Sequence, residues 1–506
     1  MPSLPARPRP APNAAPVRAE IRALWLLAWP IMVGQLANIG MSVAQLAMAG
    51  HASAQDLAGV SLGISVWNMV IITLMGVMMS VNPLVAHHVG AQELDQIPHL
   101  VRQALWKGLF IGLLATGVLQ ASTLIFDAMA LEPATHQVAV GFVQITSFAL
   151  PAFAAYRVLY GYSASIGQTK PMMAVALGVL LINILLSWVL VFGHWGFAPQ
   201  GGLGCAWSTL LCVWVNLGGL LWWMRRSPAF ASTWPLAQWE WPHLPKLRSL
   251  LKIGLPIGVT YFAETSAFAL IALLVARFGS HQVAAHQVAL NFTSLVFMVP
   301  LSLGVAVLTR VGHALGAGDP QAARFRAWVG VAVALGFALV SASGIAAWRT
   351  EIASMYTNDT VVVALAAQLL LLAAVFQLSD SAQVVTSGAI RGYKITRAPM
   401  WVQLLAFWAV SLPLGYVLGI APHLAPDWLR ALAWFPTEPL QATGFWLALV
   451  LGLTVAARGL RSCCATWRAP TWLTHPCQPA QTAPPHPDHG AGAALLYWSG
   501  RPHGGG

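Results

Sequence analysis

The sequence predicts an all-α polytopic membrane protein, with twelve transmembrane helices in two six-helix lobes related by a parallel pseudo-two-fold axis. Three observations carry that prediction. Of the 506 residues, 58% are hydrophobic and 8% charged, with a mean hydropathy of +0.68. An ordinary soluble domain is about 25% charged, so no soluble core hides this much apolar surface. The apolar runs continue over about twenty residues, the length of a spanning helix, and do not alternate as the shorter strands of a β-barrel do. Landmarks of the first half also recur in register in the second.

Gly, Pro and charge punctuate the runs. They delimit helices at about 22–49, 57–86, 101–126, 137–160, 172–194 and 203–224, then 250–277, 284–312, 325–348, 361–390, 399–420 and 441–460. Pro30 and Pro256 sit near the starts of equivalent helices. Gly90-Ala91 in HHVGAQ is matched, at the same interval along the chain, by Gly316-Ala317 in HALGAG. YGYSASIGQTKPM (Tyr160–Met172) is echoed by RGYKITRAPM (Arg391–Met400) after the fourth helix of each half. Six helices per half leave the halves in one orientation, with the axis along the membrane normal. Parallel halves of this kind place a substrate site at their interface and alternate by rocking.

The expected segments are a cytoplasmic stretch 1–21, a first lobe 22–224, a linker 225–249, a second lobe 250–460 and a disordered tail 461–506. Residues 1–21 lack the apolar core of a secretory signal. An even helix count puts both termini on one side, and 23 of the 26 Lys and Arg then fall on it, leaving Arg277, Arg349 and Arg430 opposite. By the positive-inside rule that side is cytoplasmic. The same asymmetry explains the net charge of +11 and the pI near 9.9 without nucleic acid. Five cysteines show no metal or redox spacing, and Cys463 and Cys464 read as ordinary thiols. Trp428 and Trp434, in the outward loop Ala421–Gln441, read as interfacial. The tail histidines His475, His486, His489 and His503 are not read as a metal site.

Of fifteen acidic residues, only Glu264 and Asp380 lie deep inside apolar runs. Glu264 follows Lys252 by twelve residues and Asp380 precedes Arg391 by eleven, so both lie roughly 16–18 Å from one end of their helices, near mid-bilayer. An ionised group there costs at least about 2.5 kcal/mol and requires a partner. Neither helix carries an interior Lys or Arg. The remaining options are a bound cation, a shared proton or mutual retuning of the two carboxyls, each of which makes a site for Na⁺ or H⁺.

Gln287, Asn291, Gln377, Ser379 and Gln383 are the second-half oxygens that suit a small hard cation. In the first half, Gln35, Asn38, Gln45, Asn183 and Ser187 bind by hydrogen bonds without charge. Trp67, Phe142, Phe148, Phe262, Phe292, Phe297 and Met298 are candidates to receive flat cations on ring faces. His286 reads as a satisfied interhelical histidine. No Lys or Arg is expected at mid-membrane, which argues against a pyrophosphate-binding flippase. No HExxH or GxSxG occurs, which argues against a membrane enzyme.

The chain resembles the multidrug and toxic compound extrusion (MATE) transporters of the bacterial NorM type. LAWPIMVGQLANIGMSVAQLAMAG (Leu27–Gly50), LAGVSLGISVW (Leu57–Trp67) and LINILLSWVLVFGHWG (Leu181–Gly196) carry the resemblance in the first half. AAHQVALNFTSLVFMVPLSLGVAVLTRVGHALG (Ala284–Gly316), VVVALAAQLLLLAAVFQLSDSAQVV (Val361–Val385) and RGYK (Arg391–Lys394) carry it in the second. The resemblance implies a central cleft and efflux of lipophilic cations against inward Na⁺ or H⁺, without a cofactor, by a monomer in the bacterial inner membrane. It also implies that Glu264 and Asp380 couple the ion, with Gln287 near them, and that Asn183 belongs to the first lobe's set. Gln45 stands where many members have an acid, and Phe376 where they often have Tyr.

Overall fold

A computed structural model describes residues 14–129, 131–424 and 436–465. Trp428, Trp434, Arg430, Cys477 and the tail histidines lie outside the described residues. Ten straight or gently broken apolar helices cross the expected thickness: α1 Ala14–Ala52, α2 Ala54–Gly90, α3 Gln96–Ala128, α5 Lys170–Phe192, α6 Gly202–Arg226, α7 Leu244–Val275, α8 Ser280–Gly316, α9 Pro320–Ala347, α10 Thr360–Gly392 and α11 Arg397–Gly419. The last, α12, spans Ala442–Ala465. The fourth, α4, is a pair of helices, Pro133–Ser147 and Leu150–Ile166, meeting at 50°.

Proline decides where these spans break, and a side chain from a neighbour takes up what each break releases. Pro151 has no N–H for the Ser147 carbonyl, four residues back, and its ring crowds that oxygen. Thr116 Oγ1 on α3 donates to the Ser147 carbonyl instead, at 2.9 Å. In α2 the turn at Met79–Ser80 precedes Pro83, and the Asn82 N–H reaches the Met79 carbonyl in a shorter loop at 3.2 Å. The Val77 carbonyl beside this break accepts from Lys107 Nζ at 3.0 Å, and Ser80 Oγ accepts at 2.6 Å. Lys107 is thus a fully buried cation inside the first half, contrary to the sequence expectation that all bases stay near the ends. Its ammonium donates to one backbone carbonyl and one side-chain hydroxyl of α2.

Several helices outrun their expected limits. α1 begins eight residues earlier and α4 continues to Ile166, where Gly167 adopts φ 88°. Hydropathy marks where lipid ends, whereas the backbone ladder continues into the headgroup layer until a cap or glycine stops it.

Each half has its own apolar centre. One gathers Met78, Phe142, Val158 and Tyr162, the other Leu370, Phe376, Phe407, Phe445 and Trp446. The segment between the halves docks on α4 and α3: Phe230 is fully buried against Tyr162 of α4, whose hydroxyl donates to the Thr233 carbonyl at 2.7 Å. Further along, Glu240 pairs with Arg102 and with His99, and Trp106 Nε1 donates to the Glu240 carbonyl at 2.8 Å.

The halves meet at the basic end through contacts that repeat about the pseudo-axis. His87 of α2 donates through Nε2 to the Gly392 carbonyl of α10 at 2.8 Å. His313 of α8, its counterpart in the repeat, donates to the Ser165 carbonyl of α4 at 2.7 Å. Where α2 and α8 cross, a Cβ on Gly90 would overlap the His313 carbonyl, and one on Gly316 would overlap the His87 carbonyl. The recurring Gly-Ala landmarks are therefore two sides of one helix crossing. Buried Glu20 of α1 adds a bidentate pair with Arg310, at 2.9 and 2.5 Å, and Arg326 stands 3.7 Å away.

Candidate functional site: a two-walled central cavity

Above that closed end lies a cavity of about 640 Å³ lined from both halves. Its second-half wall is acidic. Glu264 on α7 and Asp380 on α10 both face the cavity, as their shared depth in the sequence predicts. Asp380 is only 3% exposed. The two carboxylates act on each other electrostatically, and among the described residues neither has a hydrogen-bond or ion-pair partner.

Aromatic packing brings their helices together. Phe268 and Phe376, one turn further from the basic end than each acid, meet edge to face at 6.3 Å, and Phe376 packs on Trp446 at 5.8 Å. Trp446 Nε1 donates to His286 Nδ1 at 3.1 Å, so His286 is interhelical as the sequence suggests, but its Nε2 is buried without a partner and the ring is only half satisfied. Phe376 holds this apolar cluster with a ring that carries no hydroxyl.

A backbone detail that pattern reading misses aims α7. In α11 the stretch Leu405–Ser411 winds as a π-helix, ending two residues before Pro413, which supplies no N–H. The wider turn carries Trp408 to α7, where its Nε1 donates to the Ala263 carbonyl at 3.1 Å. Ala263 immediately precedes Glu264. Arg391 is a second addition. Placed by sequence at the helix end, it is 6% exposed, lies over the Tyr261 ring at 5.3 Å, and acts electrostatically on Glu264 without forming an ion pair.

The first-half wall is largely apolar, and most of its polar groups are amides. Gln35, Asn38, Gln45 and Asn183 line the cavity, joined by Asn68 and Asn216. Gln45 Nε2 donates to Thr209 Oγ1 at 2.7 Å, and Asn183 Nδ2 donates to Ser208 Oγ at 3.0 Å. The Asn183 and Asn216 side-chain oxygens are buried without partners. Ser187 is spent on Ser208 at 2.9 Å.

The other expected residues divide. Gln287 and Asn291 are exposed and do not line the cavity. Neither side chain is among the lining residues, although their neighbours Leu290 and Thr293 are. Gln377 is buried and donates to Ser381 Oγ at 3.5 Å, while Ser379 pairs with Thr454 Oγ1 at 3.0 Å on the side away from the cavity. Gln383 is buried outside the lining. Trp67, Phe297 and Met298 line the cavity, whereas Phe142 is sealed in the first core, Phe292 packs on the second, and Phe148 and Phe262 are exposed. One lining residue overturns an expectation outright: Arg157, assigned to the basic end, faces the cavity. The bend at Pro151 and the two extra turns of α4 place it inside.

The MatE family model matches residues 30–189 and again 256–417, so its two starts fall on the paired landmarks Pro30 and Pro256. The chain belongs to the MatE family. Its MatE relatives include the multidrug resistance protein PmpM of Pseudomonas aeruginosa, 42% identical over 87% of this chain and 90% of that protein. They also include the multidrug resistance protein NorM of Vibrio cholerae, 38% identical over 87% of this chain and 94% of that one. Among solved structures, the eukaryotic MATE transporter AtDTX14 superposes with a TM-score of 0.79 at 19% identity, over 89% of this chain and 96% of that one. A multidrug resistance MATE transporter in an outward-facing conformation superposes at 0.77 and 18%, over 90% and 99%. The all-helical MatE fold, with up to twelve apolar spans, is that of a multi-pass membrane transporter.

Proposed function

We propose that the protein is a secondary multidrug antiporter that exports organic, mostly cationic compounds in exchange for inward Na⁺ or H⁺. One observation carries this reading: two unpartnered carboxylates share one wall of a large cavity whose remaining lining is mainly apolar, with aromatic rings and amides. Relatives named for multidrug resistance support the substrate class. Hard carboxylate oxygens suit either a proton or Na⁺, and aromatic faces suit flat cations.

The basic end is cytoplasmic by the positive-inside rule, in a bacterial inner membrane, with both termini inside. The histidine and Glu20 contacts then close the cytoplasmic side, and the cavity faces outward. In this state an ion entering at Glu264 and Asp380 competes with a cationic substrate and favours its release. A ligand moves the two-state equilibrium only by its differential affinity for the states, so ion and substrate must couple reciprocally.

Glu264→Gln and Asp380→Asn should each abolish ion-driven efflux of a fluorescent lipophilic cation while leaving insertion into the membrane intact. Full efflux by both variants removes the coupling site. The runner-up, a flippase for a lipid-linked or amphipathic precursor, gains Arg157 as a cavity cation. A pyrophosphate asks for several bases, and Arg157 is the single Lys or Arg among the described lining residues.

A further inference from the structure

The acidic wall faces a cation that the efflux reading does not use. Arg157 projects from α4 into the same cavity, on the first-half side. Its guanidinium carbon lies 4.4 Å above the Tyr160 ring, which occupies one face of the planar group. Its Nε is buried with no hydrogen-bond partner, and no ion pair reaches it among the described residues. No ion pair joins Arg157 to Glu264 or Asp380 among the described residues.

Lys107 shows what a purely structural buried base looks like here: its ammonium donates to a carbonyl and a hydroxyl. Arg157 differs at each point. It is partly exposed to the cavity, held on an aromatic ring, and its donors are unspent. A guanidinium presents parallel N–H donors that match the two oxygens of a carboxylate. Tyr156 and Asn216 line the cavity beside it.

We infer that Arg157 is an anion subsite on the first-half wall, so that the cavity takes amphoteric molecules, with a carboxylate on Arg157 and an amine toward Glu264 and Asp380. This deepens the efflux reading and rests on it. Such a molecule satisfies both walls, whereas a simple cation meets one attractive wall and one repulsive charge.

The test compares a rhodamine bearing a free benzoate with the ethyl ester of the same dye, which has lost the anion and kept the cation. Binding to the purified full chain in lipid nanodiscs is read by fluorescence anisotropy. Arg157→Gln should weaken the acid by about tenfold, the scale of one charge-assisted hydrogen bond, and should tighten the ester, because a repulsive charge is gone. A structural role does not produce this crossover of sign. Arg157→Lys, which keeps the charge and loses the fork, should retain a weakened preference for the acid and carries the comparison if the Gln variant does not fold. The subsite is overturned if both dyes shift in the same direction or if the acid does not shift. A wild-type protein that binds the ester and not the acid also overturns it while leaving the efflux reading in place; one that binds neither dye overturns both.

Discussion

Trp408 acts on Glu264 through a single backbone carbonyl, and that link can be cut without changing the size of the ring system greatly. Trp408→Phe removes the N–H that holds Ala263. The expected cost is about 1 kcal/mol, the typical net worth of one hydrogen bond, together with a weaker apparent affinity for the coupling ion. Thermal unfolding and ion-titrated efflux measure the two; an unchanged ion dependence would show that Trp408 only packs. Glu264 and Asp380 were legible in the sequence because a carboxylate within an apolar run is rare and costly. Trp408 was not, since an indole in a membrane helix is ordinary until a π-turn decides where it points. Arg157 was hidden for a related reason, because a bend and two additional turns moved it from the helix end to the cavity. Gln287 and Asn291 were legible as polar and as one helical face, but which side of α8 lines the cavity is decided by the helices packed against it.

Among the elements, the prolines were visible and their consequences were not. The apolar pattern reads as one helix over 137–160 straight through Pro151, and that Thr116 satisfies the Ser147 carbonyl depends on how α3 packs on α4. The connection from Arg225 to Ser249 read as a linker, and the structure docks it on α3 through Glu240. The hydrogen bond from Arg102 holds the Glu240 carboxyl below the ordinary carboxylate range, with His99 adding to it and burial opposing both. A depressed folded value means this contact stabilises docking in full above the unfolded value of 4.5 and loses its contribution as pH falls through the folded one. Limited proteolysis of the segment should therefore be slow at neutral pH and accelerate under acid. Glu240→Gln should make it fast at neutral pH, and equal protection of variant and wild type would remove the clamp from the account.

For the whole molecule, the internal repeat was readable from a few short matches in register, such as Pro30 with Pro256, and it foretold a symmetric architecture. It did not reveal that the repeated Gly-Ala pairs form the closure itself, because a close helix crossing leaves no mark beyond the small residues that permit it. Gly316→Ala places a methyl group against the His87 carbonyl, where backbone and not a flexible side chain must yield. The variant should hold the basic end apart and enrich the inward-open state, read as a longer spin-label distance between α2 and α8 at that end. An unaltered distance would mean that the crossing is not the gate.

The account's central claim is that the carboxylate pair converts an ion gradient into efflux. The most direct measurement is export of a fluorescent lipophilic cation from proteoliposomes, with Na⁺ and pH gradients imposed separately, on the wild type and on Glu264→Gln and Asp380→Asn. The account predicts acceleration by one of the two gradients in the wild type and none in either variant. Export that ignores both gradients, or that both variants perform as the wild type does, would contradict it.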